Sequence, residues 1–203
     1  MINITPKYNA IEETRQRLRN HIDSFWLDNT KKCLNLEDGP LKNLLPSWHV
    51  IEIQPVEANS PWVYVTLGAW EITKDELYKR GRWGLEFLIT SPREDFSNVN
   101  TLAMTTFYHA NPRYRIELGK ILEIGYPWLD NSSCDHFLVS HPYPFSPDFE
   151  TIEINDITIS FRWLLPITKS EALYAQDNGQ EALEEIFERV VLDYLDVNRQ
   201  PVV

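Results

Sequence analysis

The sequence predicts an α+β fold, with one central mixed, mainly antiparallel sheet packed by N-terminal and C-terminal helices. Three observations carry this. Short β-branched and aromatic runs recur between Gly, Pro and Asn turn signals through the middle of the chain. Both ends carry apolar residues at helical spacing instead. No internal repeat, low-complexity segment or Gly/Ser-rich linker divides the 203 residues, so a single domain over residues 1–203 is expected.

Residues 10–26 follow a 3.6-residue period through Ile11, Leu18, Ile22 and Phe25, with Arg15, Arg17 and Arg19 off the stripe, which predicts a helix. Residues 28–47 read as irregular, with turn signals at Asp38-Gly39-Pro40 and at Pro46. His49 to Ile53 alternates and Val63 to Trp70 is β-branched and aromatic, so both read as strands. Thr73 and Glu76 match a capping box for a short helix ending at Gly81. Trp83 to Thr90 is a third strand, stopped by Ser91-Pro92.

Residues 95–111 form the next helix, with Val99, Leu102, Ala103, Thr106 and Phe107 on a shared face. Ile121–Ile124 and Phe137–Ser140 are short strands around a loop. The three prolines of residues 141–147 exclude helix and central strand, because each fixes φ and removes a donor. Phe149–Ile154 and Ile157–Leu165 form a hairpin across Asn155-Asp156, and the second strand is apolar enough to be central. Thr168 and Glu171 form a capping box after Pro166, and Asn178-Gly179 breaks that helix. Gln180 to Val197 then reads as an amphipathic helix. Leu183, Ile186, Phe187, Val190, Val191 and Tyr194 lie on one arc, and Glu181, Glu184, Glu185 and Glu188 on the opposite one.

Composition narrows the function. Hydrophobic residues make up 43% and aromatics 12%, with seven Trp, which excludes a disordered chain. Most of these Trp read as core and one or two as exposed anchors. The N-terminus lacks the pattern of a secretory signal, and no apolar run approaches the roughly 18 residues of a membrane span. With only Cys33 and Cys134, reduced thiols in a cytoplasmic protein are expected. The net charge of −11 is uneven: residues 1–147 hold 18 acids and 15 bases, residues 148–203 hold 12 acids and 4 bases. Such a field repels nucleic acid and attracts basic partners.

Catalytic signatures are missing. No glycines are spaced as a phosphate-binding loop, and there is no His-Glu-x-x-His or Gly-x-Ser-x-Gly. The best metal set, Cys134 and His136 with Asp135 and His141, lacks paired ligand spacing, and His136 beside Phe137 and Leu138 reads as a packed strand histidine. No cofactor, metal or enzymatic activity is expected. Glu181, Glu184, Glu185 and Glu188 read as a solvated face or as a docking face for a basic partner, and they are the candidate partner-binding residues.

Leu164-Leu-Pro-Ile-Thr-Lys-Ser-Glu171, followed by Gly179-Gln-Glu-Ala-Leu183, resembles the end of the suppressor of fused domain. Val65-Thr-Leu-Gly-Ala-Trp-Glu71, Gly84-Leu-Glu-Phe-Leu88 and His136-Phe-Leu-Val-Ser-His-Pro-Tyr143 resemble earlier parts of it in the same order, so the likeness covers roughly residues 45–195. These motifs are turns, caps and strands, which identify a fold without a site. The resemblance implies interaction with another protein. Animal members hold a transcription factor, and many bacterial relatives resemble immunity proteins that neutralise polymorphic toxins. The expected function is therefore an immunity protein binding a basic toxin domain, with a nuclease as one candidate. The alternatives are an adaptor that receives a peptide strand on a sheet edge and an enzyme of unknown chemistry.

Overall fold

The computed structural model describes residues 5–73 and 83–203. The capping-box helix expected from Thr73 to Gly81 falls mainly outside them. Eight strands form one sheet in the order β1-β2-β3-β4-β8-β6-β5, with β7 also paired to β8. They are β1 (Lys31–Asn35), β2 (His49–Ile53), β3 (Trp62–Leu67), β4 (Trp83–Ser91), β5 (Ile121–Glu123), β6 (His136–Ser140), β7 (Thr151–Ile154) and β8 (Ile157–Ile167). Each described pairing is antiparallel except β4 with β8.

The apolar β8 is central, as its composition predicts. It pairs β4 along one side, and β7 and then β6 along the other. Asn155 and Asp156 both have positive φ (50° and 63°), the left-handed pair that a two-residue β7–β8 hairpin needs. Alternation along β8 sends Ile159, Phe161, Trp163, Leu165 and Ile167 to one face, and Leu164 to the other.

Helices cover both faces of the sheet. Leu18 and Ile22 of α1 (Thr5–Phe25), Ala172 and Ala175 of α4 (Lys169–Asn178), and Leu183 and Phe187 of α5 (Gln180–Val190) pack on the Trp163 side. Leu41 of α2 (Pro40–Leu44) and Val99, Leu102 and Ala103 of α3 (Ser97–His109) pack on the opposite side with Phe87, Ile89 and Phe137. Among the described residues no helix is long and apolar enough to cross a membrane.

Four local readings change. Residues 28–47 are not wholly irregular: they hold β1 and α2. Strand β1 is polar (Lys-Lys-Cys-Leu-Asn) because it is an edge, paired with β2 alone among the described strands, and charged lysines suit an edge that must not recruit a further strand. The strand expected over Val63–Trp70 ends at Leu67. Gly68, at φ 105°, turns the chain into a 3-10 turn over Ala69–Thr73. Phe107 leaves the buried face of α3 and is exposed.

The fourth change concerns α5, which stops at Val190 rather than Val197. Val191 adopts the left-handed conformation (φ 51°, ψ 62°), Leu192 N–H donates to the Phe187 carbonyl and Val191 N–H to that of Glu188. This is the Schellman closure of a helix, with valine where glycine is usual.

Buried carboxylates tie the connections together. Glu86 of β4 accepts from the Thr66 hydroxyl and from the backbone N–H groups of Gly68 (2.9 Å), Ala69 (3.2 Å) and Trp70 (3.4 Å), so it caps the turn after β3. Burial pushes its carboxyl up to about 8 against the pull of these donors. Glu71 in that turn receives a two-pronged contact from Arg15 of α1 at 2.6 and 2.8 Å.

Glu171 is used twice. As the third helical residue it accepts from the Thr168 N–H at 2.8 Å, completing the capping box that the sequence predicts. Its two oxygens also receive Arg199 at 2.6 and 2.7 Å, which draws the C-terminal tail back across the sheet.

Candidate partner-binding site

The amphipathic pattern of α5 decides what this end of the molecule displays. Leu183 and Phe187 enter the core, so the glutamates between them must lie on the flanks and outer side. The fold then separates the four candidates. Glu181 and Glu185 are exposed on the solvent side. Glu184 and Glu188, one turn apart, line a cleft of about 590 Å³ between α5 and the proline-rich 141–147 loop. Trp163 and Leu165 of β8 line it as well, with Tyr143 and Tyr194.

Each lining residue is positioned for a reason. Glu184 accepts from Ser140 Oγ at 2.5 Å, from Gln180 Nε2 at 3.0 Å and from the Tyr143 hydroxyl at 3.4 Å, so its carboxylate is fixed against the wall. The Glu188 side chain forms no hydrogen bond or ion pair among the described residues and is exposed. Pro142 and Pro144 hold the loop that presents Tyr143, which is 58% exposed. Burial, and after it the Glu184 carboxylate, push the Tyr143 phenol up. Tyr194 packs edge-on against Trp163 at 5.0 Å, held there by the tail that Arg199 anchors.

The charge on this side is poorly compensated. Of the four bases in residues 148–203, Arg162 is held by Glu150 at 2.8 Å and Arg199 by Glu171. None of the ion pairs among the described residues involves Glu181, Glu184, Glu185 or Glu188. The arrangement presents fixed negative charge beside aromatic surface. That suits recognition of a cation.

The other candidates are dispersed. Cys134 is buried, and burial pushes its thiol up. His136 Nδ1 bonds Asp135 at 2.6 Å, while His141 Nδ1 bonds Glu150 at 2.7 Å. Among the described residues no group of three or more His, Cys, Asp or Glu side chains could hold a metal. Trp26, Trp48, Trp70, Trp128 and Trp163 are buried, Trp62 is half-buried, and Trp83 is 62% exposed.

A second groove, of about 520 Å³, lies on the opposite face between α3 and the edge strand β5. Met104 lines it with Tyr108 and Tyr114, whose rings stack at 4.6 Å. This groove is not legible in the sequence, because Met104 and Tyr108 fall off the apolar stripe of α3 and read as ordinary surface positions.

A family model described as suppressor of fused protein matches residues 45–200. Immunity protein YqcF of Bacillus subtilis (strain 168) is 24% identical over 185 residues, covering 90% of this chain and 88% of YqcF. The crystal structure of a suppressor of fused homolog from Neisseria gonorrhoeae FA 1090 superposes with a TM-score of 0.80 at 33% identity, covering 95% of this chain and 98% of that one. A chain of the Sufu–Fu complex gives 0.68 at 12% identity, covering 95% and 92%. Drosophila Suppressor of Fused gives 0.59 at 13%, covering 90% of this chain and 50% of that protein. The last two share the fold.

Proposed function

The chain belongs to the suppressor of fused family, and on that premise we propose that it is a cytoplasmic immunity protein that captures a basic toxin domain through α5 and blocks it by occlusion. The observation that carries the reading is the row of four glutamates without cationic partners among the described residues, set beside an aromatic cleft. The likeness to YqcF, a protein named for immunity and aligned over nearly its whole length, supports it. Charge complementarity of this kind speeds capture of a basic partner and excludes acidic ones.

The test is co-expression with the C-terminal domain of the protein encoded beside this gene. The expected result is that the domain alone stops growth, while this chain restores growth and co-purifies with it. A harmless neighbour, or toxicity that persists, overturns the immunity reading. Given a complex, changing Glu181 and Glu185 to Lys should slow association and weaken its dependence on salt. Unchanged association at low ionic strength would remove α5 as the docking face.

One observation favours a second reading, an adaptor for an extended peptide. Strand β5 ends the sheet with one side unpaired among the described strands, and the Met104–Tyr108–Tyr114 groove lies beside it. An added strand would take its hydrogen bonds from β5 and its side-chain contacts from that groove. Binding of short extended peptides, with no need for a folded partner, distinguishes this reading from the first.

A further inference from the structure

We infer that the cleft between α5 and the 141–147 loop receives an arginine side chain of the protein partner, with the guanidinium against Glu188 and the face of Tyr143, and with an adjoining apolar residue of the partner covering Val191. The inference rests on the protein-binding role proposed above and specifies its anchor.

The cleft carries two carboxylates and no cation in its lining, which sets the sign of its occupant. Glu184 is oriented by Ser140 and Gln180, whereas Glu188 keeps both oxygens free of partners among the described residues. Tyr143 and Tyr194 supply aromatic surface next to them. A guanidinium is planar and weakly hydrated, can stack on an aromatic ring and can bond a carboxylate with two N–H groups at once. A lysine ammonium is a strongly hydrated point charge with neither property. The negative lining excludes phosphate, and hence nucleic acid and anionic lipid.

Val191 is an independent pointer to a partner. It is β-branched yet left-handed (φ 51°, ψ 62°), a conformation that glycine adopts without strain. Its side chain is 85% exposed at the mouth of the cleft, so the fold gains almost nothing from burying it. An apolar side chain held in a strained position, and left uncovered by the described residues, is what a contact surface requires.

The test titrates the full-length protein with N-acetyl-arginine-N-methylamide, followed by backbone amide NMR. Neutral N-acetyl-citrulline-N-methylamide and the corresponding lysine compound serve as controls. The expected result is saturable shifts confined to Tyr143 and residues 184–192. Citrulline should bind about tenfold more weakly, and the response should vanish in Glu188→Gln and in Tyr143→Ala. Both sites are exposed, and an unchanged spectrum elsewhere shows that the variants fold. Shifts scattered over the acidic surface, equal binding of citrulline, or a response that survives Glu188→Gln would overturn the cleft assignment. Lysine binding as tightly as arginine would overturn the guanidinium assignment. Because the probe is not the toxin, failed rescue by co-expression overturns the immunity reading without bearing on this titration. Rescue alongside a failed titration moves the anchor elsewhere.

Discussion

Truncating Arg199 to alanine strands a buried carboxylate at the start of α4. The Glu171 side chain is completely buried and has four donors: Arg199 at 2.6 and 2.7 Å, the Thr168 N–H at 2.8 Å and the Val202 N–H at 3.2 Å. The substitution removes both charged donors and leaves a carboxylate in the core with two neutral ones. Breaking a buried pair in this way costs about 3–5 kcal/mol, against a total stability of about 5–15 kcal/mol. In urea, with a slope near the upper end of about 1–3 kcal/mol/M for a chain of this size, the midpoint should fall by about 1–2 M. Arg199→Lys should recover only part of the loss, because an ammonium cannot span both oxygens. The double variant Glu171→Gln with Arg199→Met should recover most of it, because no charge is then stranded. A loss below about 1 kcal/mol for Arg199→Ala, or a double variant no better than the single one, would refute the reasoning.

Two further outcomes are expected. Glu86 is pushed up to about 8 by burial, so its contribution to stability is fully present below the unfolded carboxylate range and is lost as pH rises through the folded value. Its share is on the order of a few kcal/mol, and urea midpoints at pH 5, 7 and 9 should fall more steeply for the wild type than for Glu86→Gln; parallel profiles would sink the assignment. Val191→Gly should raise stability by about 1 kcal/mol through relief of the left-handed strain, while weakening capture of the partner. A variant that gains stability and binds unchanged would show that the valine side chain is not in the interface.

What could be read from sequence follows from where each element lies. Strand β2 appears with its observed bounds because it is flanked on both sides and its alternation is enforced by packing on both faces. The Thr168–Glu171 capping box is legible because it is satisfied within four residues. Edge strand β1 is hidden because an edge needs no such alternation. The end of α5 is hidden because Val191 carries no local stop signal, and the closure depends on Leu192 reaching the same core as Phe187. The second role of Glu171 is invisible because its partner lies 28 residues away. Glu86 and the Gly68 turn stand within stretches quoted for the family resemblance, and their spacing alone does not reveal that one caps the other.

The same limit governs the candidate site. A helical projection places Glu181, Glu184, Glu185 and Glu188 on one acidic arc and treats them as equivalent. The fold divides them, because the 141–147 loop and the tail pinned by Arg199 build walls on one flank of α5 only. Charges that stay in solvent act at a distance and are screened by salt, so Glu181 and Glu185 belong to encounter. Charges inside a cleft act after contact, where a desolvated pair resists separation, so Glu184 and Glu188 belong to residence time. The wall depends on Tyr194 staying over Trp163, and Tyr194 lies in the segment that Arg199 draws back. Loosening Arg199 should therefore shorten the lifetime of a complex before it alters the rate of encounter, although Arg199 itself is buried against Glu171.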